Sequence, residues 1–103
     1  MDEQPDYLTA DYTLDHDTAT ILVVGEIDIV TRAVLTESAR AAVAAGATSI
    51  VLDLSEVTFM DSSGISALID SRTTAPVMLR KPSEVVERLL ATTGLTDIFT
   101  VEA

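Results

Sequence analysis

Apolar residues along this chain fall into short runs separated by turn-forming residues. Tyr7–Leu14 alternates weakly, with Tyr7, Tyr12 and Leu14 as its larger residues, and reads as an edge strand. Asp15-His16-Asp17 follows as a turn, with Asx chemistry on both sides. Thr20–Ile27 is rich in β-branched residues and reads as a strand. Its run Ile21–Val24 is continuous rather than alternating, which predicts burial on both faces. Thr31 then offers an N-cap to an Ala-rich helix over Arg32–Ala45. Leu35, Ala39, Ala42 and Val43 repeat at helical spacing toward a core, and Gly46 stands where a C′ glycine belongs.

Ser49–Leu54 reads as a second buried strand, followed by a short loop. Ser62–Ile69 carries Ile65, Leu68 and Ile69 on one face, as a helix does. The quick passage through Asp70–Pro76 limits this helix to about three turns. Val77–Leu79 is a short strand, and Arg80-Lys81 reads as a solvated basic pair. Pro82 and Ser83 open a third helix with the apolar stripe Val85, Val86, Leu89 and Leu90. Gly94 and then Leu95 end it in the usual way, and Ile98–Val101 closes as a strand. The order is β-β-α-β-α-β-α-β. It predicts one α/β domain: a mostly parallel sheet of about five strands, one edge strand antiparallel, with about three helices and right-handed crossovers. The domain spans 1–103, with Met1–Pro5 as a loose acidic tail.

Composition narrows the function. At 103 residues the chain has room for one core without staples, and 48% hydrophobic residues argue against disorder. Cysteine is absent, so no disulfide framework or thiolate metal site is available. No apolar run reaches membrane-span length. Asp2, Glu3 and Asp6 give the N-terminus the wrong sign for a secretory signal. A cytoplasmic location is the expectation. The formal charge is −11, from 17 acidic and 6 basic residues. Such a surface repels nucleic-acid phosphates and anionic membranes. It suits a protein partner with a basic face, or serves solubility alone.

The sequence argues against catalysis. The single histidine, His16, lies in a turn, and nothing puts it within reach of a serine for a triad. No Gly-x-Ser-x-Gly elbow is present. Asp53, Glu56 and Asp61 are near in sequence but lack helical or calcium-loop spacing, and no phosphate loop occurs. No cofactor or metal is implied. What remains is Asp61-Ser62-Ser63-Gly64, which follows a strand and opens a helix, where α/β folds place functional groups. Asp or Ser there caps the helix. An exposed hydroxyl there is also a place where a phosphate is favoured by free N–H groups and the helix dipole. The two readings are compatible.

The stretch Val51-Leu52-Asp53-Leu54-Ser55-Glu56-Val57-Thr58-Phe59-Met60-Asp61-Ser62-Ser63-Gly64-Ile65 resembles the central signature of STAS domains, and in particular of bacterial anti-sigma-factor antagonists. Gly25-Glu26-Ile27-Asp28 is similar to their Gly-Glu-Leu-Asp segment. Pro82–Leu90 with Thr93-Gly94-Leu95 and Phe99 is similar to their last helix and turn. The resemblance implies a binding protein rather than an enzyme. In this family the unphosphorylated antagonist binds an anti-sigma factor that is also a serine kinase, and so frees the sigma factor. The kinase phosphorylates the serine matching Ser62, and a metal-dependent serine phosphatase reverses it. Asp28, Asp61, Ser63, Gly64 and Ile65 would form the partner-binding site. A STAS accessory subunit of a transporter or sensory assembly, with Ser62 only a helix cap, is the alternative. A small-ligand or nucleotide-binding domain is a third.

Overall fold

The computed structural model describes residues 7–102. Strand β1 (Leu8–Asp15) pairs antiparallel with β2 (Thr18–Ile27). Helix α1 (Arg32–Ala44), strand β3 (Ser49–Met60), helix α2 (Ser62–Ser71) and strand β4 (Val77–Arg80) follow. Helix α3 (Glu84–Thr93), a 3-10 turn (Thr96–Ile98) and strand β5 (Thr100–Glu102) complete the chain. The strands lie in the order β1-β2-β3-β4-β5, and every pair after the first is parallel. This is the architecture expected from the order of elements.

Every crossover after β2 steps one strand in the same direction. With right-handed connections, that puts all three helices on one face. The register aligns Ile21, Leu52 and Leu79 across the sheet. All three are buried, together with Leu35 of α1, Ile65 and Leu68 of α2, and Val86 and Leu90 of α3. The other face of β2 is open: Leu22 is 44% exposed and Val24 38%. Burial of Ile21–Val24 on both faces is therefore corrected, because among the described residues no helix covers the second face. Central β3 comes nearer to that expectation, with Ile50, Val51 and Leu52 buried in succession.

Strand β3 runs six residues beyond the expected Leu54, reaching Met60. It does so through two irregularities opposite β2, between the pairs Leu22–Asp53 and Val24–Glu56 and between Gly25–Val57 and Glu26–Phe59. At the first, the Asp53 carboxylate accepts from the Ser55 N–H and hydroxyl at 3.1 and 2.7 Å. Polar Ser55 and Glu56 thus mark a bulge rather than the end of the strand. Helix α2 has ten residues, the short helix expected. The Arg80 Nε donates to Glu102 at 2.7 Å across β4 and β5, so only Lys81 of that basic pair is simply solvated. Thr31 does not cap α1. Its own backbone is helical, and its hydroxyl donates backward to the Glu26 carbonyl at 2.8 Å.

Candidate functional site

Strands β2 and β3 end together. Ile27 pairs with Met60, and the Asp61 N–H points to the Ile27 carbonyl at 3.4 Å. The residues after both strands therefore emerge side by side at the carboxyl end of the parallel strands, the usual location of function in such sheets. Asp28 and Asp61–Ile65 share this end. His16 does not. The turn it occupies precedes Thr18, which pairs with Ser49 at the opposite end of the sheet.

Asp61 is the N-cap of α2. Its backbone is extended, and its carboxylate accepts from the Ser63 N–H at 2.8 Å. Its carbonyl accepts from the Gly64 and Ile65 N–H groups at 2.9 and 3.3 Å. Ser62 is the first helical residue, is exposed, and takes no part in the cap with its hydroxyl. The two roles that the motif allows are thus divided between neighbours. Replacing Asp61 by alanine is expected to cost about 1 kcal/mol of stability, measured by urea unfolding, while Ser62 stays exposed.

Ser63 is half-buried, and Gly64 and Ile65 are buried. A Cβ on Gly64 would lie 2.3 Å from the Met60 Cγ and 3.1 Å from the Ile27 Cγ2. Gly64 lets the first turn of α2 sit directly on the ends of β2 and β3. Ile65 anchors that turn in the core. These two residues fix where Ser62 stands, while Ser62 and Asp28 reach the surface.

Asp28 organises the loop before α1. One carboxylate oxygen accepts from the Val30 and Thr31 N–H groups at 2.9 and 3.0 Å. The Tyr7 hydroxyl donates to the carboxylate at 3.2 Å. Burial pushes the Asp28 carboxyl up, but the bonds from Thr31, Val30 and Tyr7 outweigh it and hold it below the usual value. Burial, then the bond to Asp28 and the charges of Asp28 and Glu26, push the Tyr7 phenol up. At neutral pH the pair is therefore a phenol donating to a carboxylate.

Beyond Asp28, Ile29 and Val30 stand 71% and 59% exposed, and Phe59, two residues before Asp61, is 44% exposed. Sequence alone assigns Ile29, Val30 and Phe59 no separate role. Their signal was two adjacent β-branched apolar residues in a loop with no periodic partner. Among the described residues no group of three His, Cys, Asp or Glu side chains is placed to hold a metal ion, and no helix is long and apolar enough to cross a membrane.

A family model for the STAS domain matches residues 10–103. No curated protein matches the chain in sequence. An anti-sigma factor antagonist from Mycobacterium paratuberculosis has a similar structure, with TM-score 0.82 and 27% identity, covering 95% of this chain and 87% of that one. The anti-sigma factor antagonist SpoIIAA in its unphosphorylated form has TM-score 0.73 and 20% identity over 93% of this chain and 88% of that one. The Bacillus cell fate determinant SpoIIAA in its phosphorylated form has TM-score 0.66 and 19% identity over 93% and 91%. At those identities the last two establish likeness of fold.

Proposed function

The chain belongs to the STAS domain family, and from that premise we propose that it is an anti-sigma factor antagonist switched by phosphorylation of Ser62. Unphosphorylated, it binds an anti-sigma factor that is also a serine kinase, through the sheet end carrying Asp28 and Asp61–Ile65, and so releases the sigma factor. It acts by binding rather than catalysis, and a metal-dependent serine phosphatase restores the binding form. The observation that carries this reading is the free, exposed hydroxyl of Ser62 on the first turn of α2, with capping left to Asp61. The likeness to an antagonist at 27% identity supports it.

The chemistry fits a switch. A phosphate on Ser62 adds about −1.5 to −2 charge at neutral pH. The helix N-terminus favours an anion there, so the fold tolerates it. The Asp61 carboxylate already holds the Ser63 N–H, so the added charge stands beside an existing one. Exposed Ile29, Val30 and Phe59 supply apolar contact area at the same end.

Incubation with an anti-sigma factor kinase from the source organism and ATP is expected to add a single phosphate, and Ser62→Ala to abolish it, by intact mass and peptide mapping. A phosphate found on Ser63 overturns the site. Stable co-purification with a transporter ATPase, with Ser62 unmodified by any kinase, replaces the reading with that of a transporter accessory domain.

A further inference from the structure

Ile29 and Val30 are the two most exposed large apolar residues described. Most bonds that shape their loop are local. Asp28 accepts from Val30 and Thr31, the Thr31 hydroxyl accepts from the Asp28 N–H at 2.9 Å and donates to the Glu26 carbonyl, and the Arg32 N–H donates to the Asp28 carbonyl at 2.9 Å. Such bonds shape the loop and tie its end at the buried Thr31 back to β2, while its tip at Ile29 and Val30 stays exposed. Among the described residues, Tyr7 alone of the partners of the Asp28 carboxylate comes from outside the loop, 21 positions away in sequence.

Tyr7 is itself held. Its carbonyl accepts from the Glu26 N–H at 3.0 Å. Its backbone lies against Gly25, where a Cβ would stand 2.0 Å from the Tyr7 oxygen. The segment Gly25-Glu26-Ile27-Asp28 therefore has a physical logic in this chain. Gly25 admits the Tyr7 backbone, Glu26 bonds it, Ile27 is buried, and Asp28 receives its hydroxyl. A phenol donating to a carboxylate is a charge-assisted bond, stronger than its neutral counterpart.

We propose that Tyr7 is a positioning residue for docking: it clamps the Asp28–Thr31 loop to the start of β1 and holds Ile29 and Val30 in place beside Ser62. The docking half of this inference rests on the function proposed above, whereas the clamp itself does not. Pre-ordering the loop lowers the conformational cost of association. Removing the Tyr7 hydroxyl leaves the phosphoryl acceptor untouched, so its effect falls on binding rather than on transfer.

The test compares the full wild-type chain with Tyr7→Phe, which keeps the ring and removes the donor. Tyr12→Phe, in β1, is the control. In the free protein, amide exchange at Val30 and Thr31 is expected to rise about tenfold in Tyr7→Phe and to stay unchanged in the control. With the anti-sigma factor kinase that phosphorylates the wild type, KM for Ser62 phosphorylation is expected to rise about tenfold with kcat unchanged, and Ile29→Ser to reproduce that split. Unchanged exchange overturns the clamp. Faster exchange with unchanged KM overturns the docking role. If no kinase modifies the wild type, the proposed function fails and the docking role with it, while the exchange measurement still decides the clamp.

Discussion

Ser62→Glu is expected to weaken binding to the anti-sigma factor by about tenfold to a hundredfold while leaving the melting temperature unchanged or raising it by up to about 4 °C. The two halves of this result have separate causes. Ser62 is exposed at the first position of α2, and its hydroxyl caps nothing. A carboxylate there interacts favourably with the helix N-terminus, by about 0.3–1 kcal/mol, so the fold loses nothing. At an interface, a charge brought against an uncompensated surface costs several kcal/mol, and ~1.4 kcal/mol is already a factor of ten. The chain carries a formal charge of −11, and Asp61 stands next to the new group. Isothermal titration and a thermal melt on the same preparation measure both halves. A large fall in melting temperature with intact binding would reverse the assignment, making Ser62 a structural residue. The glutamate carries less charge than a phosphate, so the phosphorylated protein is expected to bind more weakly still.

Gly25→Ala is expected to cost about 2–5 kcal/mol, a fall in melting temperature of roughly 8 °C or more for a domain of this size. Gly25 has φ of +119°, and the added Cβ would meet the Tyr7 carbonyl oxygen at 2.0 Å, its carbon at 2.9 Å and the Leu8 Cα at 3.2 Å. These are backbone atoms at the entry to the paired strand β1 and cannot turn aside as a side chain would. The backbone strain of a positive φ is about 1–2 kcal/mol, and overpacking adds about 1–3 kcal/mol. Gly46 separates the two contributions. Its φ is +116°, almost the same, and a Cβ there has nothing within 4 Å. Gly46→Ala is expected to show only the backbone share, about 1–2 kcal/mol, and the difference between the variants isolates the clash at Tyr7. Equal losses in the two variants, by urea unfolding, would mean that β1 shifts to admit the methyl group. The approach of Tyr7 to Gly25 would then be loose rather than built in.

Much of this protein is legible along the chain because the governing interactions are short. The stripe Leu35, Ala39 and Ala42 places α1 over Arg32–Ala44, within a residue of its expected end. Gly94 ends α3 in the left-handed conformation, and the Leu95 N–H returns to the Leu90 carbonyl at 3.0 Å. Hydrogen bonds of this kind span one helical turn, so the residues that decide them are neighbours. Asp61-Ser62-Ser63-Gly64 opens α2 as the motif implies, because capping is also a contact between near neighbours. Alternation of strands and helices was enough to set the topology, since right-handed crossovers leave few choices.

Other features depended on groups far apart in sequence. Whether Leu22 and Val24 are covered turns on which face receives three separate helices, which a single strand cannot reveal. Ser55 and Glu56 read as a loop by polarity, yet pairing with β2 carries β3 on to Met60. Thr31 has the composition of a cap, but its hydroxyl turns back to Glu26, and the Asp28 carboxylate holds the Val30 and Thr31 N–H groups of the turn before α1. The sequence alone determined that Ser62 opens a helix on an acidic α/β domain. Only the tertiary structure decided that Asp61 does the capping, that the Ser62 hydroxyl is left free, and that Tyr7 reaches Asp28 beside it. The Asp61 cap is a local contact that only the folded turn assigns to one side chain rather than its neighbour, whereas the contact of Tyr7 with Asp28, 21 positions apart, required β1 and β2 to be paired first.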